Sequence, residues 1–198
     1  MFQIISGKLQ KAKKVVLYGP EGIGKSSLAA QFPNPVFIDT EDSTVEMDVR
    51  RVPKPTSWQM LLQQVTWIKQ QGPAVVGTLV IDTIDWAEMQ CNAQVCAAHN
   101  KKGIEDFGYG KGYVFSSEEF GRLLNLLSDV VDAGIHVVLT AHAQITKFEQ
   151  PDEMGAYDRY QLKLGAKTGS RTAALVKEWS DIVLFLNYKT FSVATDDS

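Results

Sequence analysis

Eight residues constrain this chain more than any others: GPEGIGKS, Gly19 to Ser26, a complete G-x-x-x-x-G-K-[ST]. The motif follows a short apolar run, Val15 to Tyr18, and precedes SSLAAQF, which reads as a helix from about Lys25. Strand, glycine-rich turn and helix in that order make a phosphate cradle. Gly19, Gly22 and Gly24 let the backbone curl so that its N–H groups point inward, and the helix N-terminus adds the positive end of its dipole. The expected binding segment is Gly19, Pro20, Glu21, Gly22, Ile23, Gly24, Lys25, Ser26 and Ser27. Lys25 should reach the β- and γ-phosphates of ATP, and the Ser26 hydroxyl should hold Mg²⁺.

Such a loop belongs at the carboxyl end of a parallel strand, so the rest of the chain should supply a parallel sheet. It carries the right kind of segments. PVFID ends at Asp39, TLVID ends at Asp82, and HVVLTAHAQ and DIVLFL follow; these are continuous apolar runs, as strands covered on both faces require. Helices alternate with them. Trp58, Leu61, Leu62, Val65 and Ile68 share one helical face behind a capping-box spacing at Thr56 and Gln59, and Gly72 and Pro73 end it. A helix is expected over about 85–99, and another from Ser116, with Glu119 at capping-box spacing, Leu123, Leu124, Leu127 and Val131 as its stripe and Gly134 as its stop. The fold class expected is α/β, a P-loop NTPase with a central, mainly parallel sheet flanked by helices. At 198 residues and 44% hydrophobic, the chain suits one domain over 1–198, with 1–13 as a lead segment.

A net charge of −3 excludes a uniformly basic nucleic-acid binder but leaves room for a local basic patch. Cys91 and Cys96 imply no disulfide framework and suit a reducing cytoplasm; with His99 they read as packing residues on one helix. No stretch has the length of a signal-peptide core or a membrane span, so a soluble cytoplasmic protein with no membrane partner is expected.

Polar residues gather where the strands end. Asp82 closes a buried run, a costly position unless a metal ion uses it, and is expected to share Mg²⁺ with Ser26. Asp85 reads as a helix N-cap. Several P-loop classes are poorly matched: there is no D-x-x-G or N-K-x-D for a GTPase, the arginines are too scattered for a nucleoside monophosphate kinase lid, and an AAA+ enzyme would want glutamate at position 83, where Thr83 stands.

VFIDTED, residues 36–42, resembles the second-strand motif of RecA-like recombinase ATPases, in which a strand-end glutamate polarises the attacking water. More closely, YGPEGIGKSSLA, FIDTED, LVIDTIDW, FGYGKGY followed by EEFGRLL, LTAHAQ and KEWSDIVLF, in that order over about Lys14 to Lys189, resemble the small phage-encoded RecA-like P-loop ATPases of single-strand annealing and recombination. The resemblance implies a RecA-like core that hydrolyses ATP with Mg²⁺ and is stimulated by single-stranded DNA. Glu41 becomes the general base, Lys25 a phosphate ligand in catalysis, and His142, or Gln144 two residues on, the γ-phosphate sensor. Implied partners are single-stranded DNA, further copies of the chain in a filament or ring, and a single-stranded-DNA-binding protein; the setting implied is the host cell cytoplasm.

Two segments, 100–115 and 145–171, are candidate DNA-facing loops. The first interleaves Lys101, Lys102 and Lys111 with Tyr109 and Tyr113, suited to stacking bases. The second carries Arg159, Lys163, Lys167 and Arg171 without an acid from Arg159 onward, and Lys163, Lys167 or Arg171 could instead reach a neighbour's nucleotide. Two rival readings remain: a nucleotide-gated adaptor that does not hydrolyse, and a P-loop kinase for a small substrate.

Overall fold

In a computed structural model, residues 4–149, 155–165 and 171–189 are described. The apolar runs form strands because only a parallel sheet covered on both sides can bury every residue of each. β1 (Lys14–Gly19), β2 (Pro35–Asp39) and β4 (Thr78–Asp82) bury their central residues fully or nearly so. Between them lie α1 (Lys25–Ala29), the two-residue β3 (Arg50–Arg51) and α2 (Trp58–Gln71). After β4 come α3 (Ile84–Ala98), α4 (Lys111–Asp132), β5 (His136–Glu149), β6 (Ala156–Leu162), α5 (Thr172–Trp179) and β7 (Ile182–Phe185).

The sheet runs in the order β3-β2-β4-β5-β1-β7 with every neighbouring pair parallel, and β6 lies antiparallel against β5. One face carries the larger core, where Trp58, Leu61, Val65 and Ile68 of α2 meet Phe120, Leu123 and Leu127 of α4 and Cys91 of α3. The other face is smaller, with Val15, Leu17, Phe37, Val80 and Val138 under Ala29 of α1. This is the α/β P-loop architecture expected, and all five expected strands are present.

Several local expectations need correction. The cap of α2 is Ser57, whose Oγ accepts from Met60 N–H at 3.2 Å, and not Thr56. α4 starts at Lys111, five residues before Ser116. Gly110 takes a left-handed conformation (φ 69°) that turns the chain into the helix. Ser116 is buried and its hydroxyl bonds Asn92 of α3, so it serves helix packing and caps nothing. Arg50 and Arg51 form β3 beside β2, and their guanidinium groups bond the carbonyls of Val75 (3.1 Å) and Thr44 (2.7 Å).

The segment 145–171 is not a loop along its described length. Ile145 to Glu149 and Ala156 to Leu162 pair as a hairpin, with Ile145 opposite Tyr160, Lys147 opposite Asp158 and Phe148 opposite Tyr157. Likewise 100–115 holds a 3-10 turn, Ile104–Phe107, and the first turn of α4. β7, expected as a strand, pairs with β1, but as an edge strand its four residues stay 38–46% exposed. Among the described residues no helix is long and apolar enough to cross a membrane.

Candidate nucleotide-binding and catalytic site

The carboxyl ends of β1, β2, β4 and β5 open on a cleft of about 710 Å³. Glu21, Gly22, Gly24, Lys25, Ser26 and Ser27 line one side of it. Gly19, Pro20 and Ile23 do not line it. Gly22 (φ 72°) and Gly24 (φ 95°) adopt the left-handed backbone that the curl demands. Gly19 is needed for another reason: a Cβ there would collide with the carbonyl oxygen of Leu186, just beyond β7. Lys25 is almost fully buried, and its ammonium donates to the carbonyls of Pro20 (2.9 Å) and Gly19 (3.3 Å). Burial lowers its pKa, while Asp82 and Glu41 work to keep it charged.

β2 and β4 are neighbours in register, so Asp39 lies beside Asp82. The two do different work. Asp39 accepts from the backbone N–H groups of Glu41 (3.1 Å), Ser43 (3.2 Å) and Thr44 (2.8 Å), and from the Thr44 hydroxyl (2.6 Å). Burial would raise its carboxyl, but these donors, led by Thr44, outweigh burial and hold it below the usual range. The turn after β2 is thereby fixed, and it carries Glu41 into the cleft. Asp82 is fully buried and accepts from the hydroxyls of Ser43 (2.9 Å) and Thr140. The next peptide, Asp82–Thr83, is cis. Thr83 is itself buried; its N–H donates to the Thr40 hydroxyl (2.8 Å), which in turn donates to the Thr83 carbonyl (2.8 Å). Those two bonds lock the β2 and β4 turns together.

His142 enters the cleft from β5, with Nε2 3.9 Å from Glu41 Oε1. Its other nitrogen, Nδ1, lies 2.8 Å from Asp85 Oδ2, and its backbone N–H donates to Asp85 Oδ1 at 3.0 Å. The bond to Asp85 raises the imidazole pKa against the opposing effect of burial. Burial also lifts the Glu41 carboxyl above the usual range; His142 opposes this, and Asp82, Asp85 and Asp39 add to it. Gln144 points elsewhere, donating to the Leu162 carbonyl at 3.2 Å inside the hairpin.

Three residues that line the cleft, Ser43, Met47 and Trp86, carry nothing in their spacing that marks them in the sequence. Asp85, which reads as a helix N-cap, lies inside the first turn of α3 behind the cap residue Thr83 and grips His142 instead. Lys163, expected at DNA or at a neighbour's site, lines the cleft of its own chain. Arg159 stays exposed on the hairpin, its guanidinium 4.2 Å over the Phe148 ring. Arg171 caps α5 and donates through its N–H to Ser117. Lys101, Lys102, Tyr109 and Lys111 are exposed, whereas Tyr113 donates its hydroxyl to Glu105. Lys167 lies outside the described residues.

The donor set suits magnesium. Ser26 and Asp82 offer hard oxygens to one cleft. Among the described residues no group of three His, Cys, Asp or Glu side chains is placed to hold a metal ion alone. A cation with one carboxylate, one hydroxyl and the substrate's own phosphates is how Mg²⁺ is commonly held. Cys91 is no rival ligand: its buried thiol donates weakly to the Ser116 carbonyl, and burial pushes its pKa up to about 12.

Compared with known families, residues 11–197 match the AAA domain model. No curated protein matches the chain. The match covers nearly the whole chain although Thr83 stands where an AAA+ enzyme would want glutamate. The chain belongs to the AAA domain family and is a nucleotide-binding P-loop ATPase.

Proposed function

We propose that the chain is a Mg²⁺-dependent RecA-like ATPase domain that acts on single-stranded DNA in phage-type recombination or annealing, assembling with further copies as a filament or ring. The observation that carries the catalytic half is the meeting of Glu41, Asp82, Lys25, Ser26 and His142 in one cleft. Glu41 orients water in line with the γ-phosphorus. The water oxygen bonds to phosphorus, the bond to the bridging oxygen of ADP breaks, and Glu41 takes the water's proton. A carboxylate lifted above its usual pKa is better matched to that transfer near neutral pH. Lys25 and Lys163 bring positive charge to the phosphates, and His142 reads the γ-phosphate beside Glu41. Ser26 and Asp82 would hold Mg²⁺, which would supply charge neutralisation at the phosphates.

The DNA half is supported by the hairpin, which starts at His142 and exposes Lys147, Arg159, Tyr157 and Tyr160. Cations beside aromatic faces suit the backbone and bases of a single strand. The test is ATP turnover with and without single-stranded DNA, together with sizing under ATP. Stimulation with assembly supports the reading. Zero turnover under every condition would leave the nucleotide-gated adaptor, and phosphate transfer to a nucleoside or sugar, indifferent to DNA, would leave the kinase.

A further inference from the structure

α3 begins two residues after Asp82 and carries two carboxylates one turn apart, Asp85 and Glu88. Each holds a different root of the β5–β6 hairpin. Asp85, 7% exposed, takes both the backbone N–H and the ring of His142, where β5 leaves the sheet. Both oxygens of Glu88 accept from the N–H of Gly165, at 3.1 and 3.0 Å, where the chain returns from β6. The roots are also bonded to each other, Lys163 N–H to the His142 carbonyl at 2.9 Å. Leu162 and Leu164 are buried on either side of Lys163, so Lys163 is pinned at the cleft by its neighbours. One helix, rooted at the metal-linked strand, therefore grips one end of the hairpin at His142 and the other at Gly165, two residues beyond Lys163, and both His142 and Lys163 line the nucleotide cleft.

We infer that Asp85 and Glu88 are positioning residues that clamp the hairpin roots to α3, so that the nucleotide state of the cleft and the affinity of the hairpin for single-stranded DNA depend on each other. The inference rests on the ATPase and DNA reading above. Nucleotide contact at His142 and Lys163 moves both roots against a fixed mount, and a bound strand resists that movement. Thermodynamic coupling is reciprocal, so either ligand reports it.

The test uses the full chain, with wild type, Asp85→Asn and Glu88→Gln measured separately for oligothymidine affinity without nucleotide, with ADP and with a non-hydrolysable ATP analogue. The quantity read is the ratio of affinities between nucleotide states. For the wild type a ratio of about 10 is expected, within the usual range of such couplings; each variant should reduce it at least threefold. A merely structural loosening would weaken binding in all states alike and leave the ratio standing. Unchanged ratios in both variants overturn the inference and leave the function untouched. A wild type that binds oligothymidine equally in all states does the same. A wild type that binds no oligothymidine in any state overturns the DNA reading and this inference with it. If one variant fails to fold, the other decides, since each breaks a different root.

Discussion

The nucleotide cleft and the hairpin grow from the same strand, β5, yet they are built on opposite terms. Around the cleft three aspartates are fixed by neighbours: Asp39 by Glu41, Ser43 and Thr44, Asp82 by Ser43 and Thr140, Asp85 by His142. Along the hairpin the side chains rest on one another, Arg159 over Phe148 and Phe148 edge-on to Tyr157 at 5.5 Å, with solvent on the far side. In-line phosphoryl transfer tolerates little misplacement, so its groups need buried, over-determined partners. A surface that tracks a flexible polymer gains from the reverse.

The comparison breaks first at Lys25. Lys25→Ala should abolish nucleotide binding, and thermal melting would show it: ATP at about 100 times its Kd is worth roughly 2.7 kcal/mol to the wild type, and the variant should gain nothing. Glu41→Gln comes next. It should still bind ATP but lose about 10² to 10⁴ in turnover, and an undiminished rate would remove Glu41 as the base.

Effects on the hairpin side should be smaller and of another kind. Arg159→Ala should weaken single-strand binding several-fold and reduce the slope of log affinity against log salt by about 0.7, the share of one phosphate contact. Tyr109→Ala at the tip of the 101–111 segment should change that affinity less. There Phe107 and Phe115 pack on His99 at 5.3 and 4.9 Å and Tyr113 is tied to Glu105, so the aromatic residues other than Tyr109 are spent on internal contacts. Equal losses from both variants would erase the distinction between the two segments.

The smallest expected effect is a pH signature of the Asp85–His142 pair. The folded His142 pKa is raised, so its contribution is full below about 6.5 and is lost as pH rises through the folded value. The Asp85 carboxyl is lowered: burial opposes this, but the bonds from His142 prevail, so its contribution is present above about 3.9 and is lost as pH falls through the folded value. The stability difference between wild type and His142→Gln, read from urea midpoints, should therefore be greatest in the mildly acidic window between those limits and shrink on either side. A difference flat with pH would mean that the pair does not titrate as a unit.

Local sequence determined much of this protein. The loop from Gly19 to Ser27 needs only glycines at set positions between a strand and a helix, and the parallel strands announce themselves by unbroken apolar runs; both are properties of consecutive residues. Helix starts were less legible, because Ser116 has the chemistry of a cap but is used to bond Asn92. The hairpin was not legible, since ITKFE and AYDRYQL lack an apolar-polar alternation and the glycines and charges around them read as a loop.

Tertiary structure decided the rest. That Ser43 and Thr140 would hold Asp82, that Asp85 would hold His142, and that Lys163 would turn toward its own cleft depends on segments separated by 39, 58, 57 and 21 residues meeting at the carboxyl end of the sheet. A motif records what neighbours in the chain must be. It carries no record of a hydroxyl or carboxylate whose partner arrives only when β2, β4, β5 and α3 have packed together.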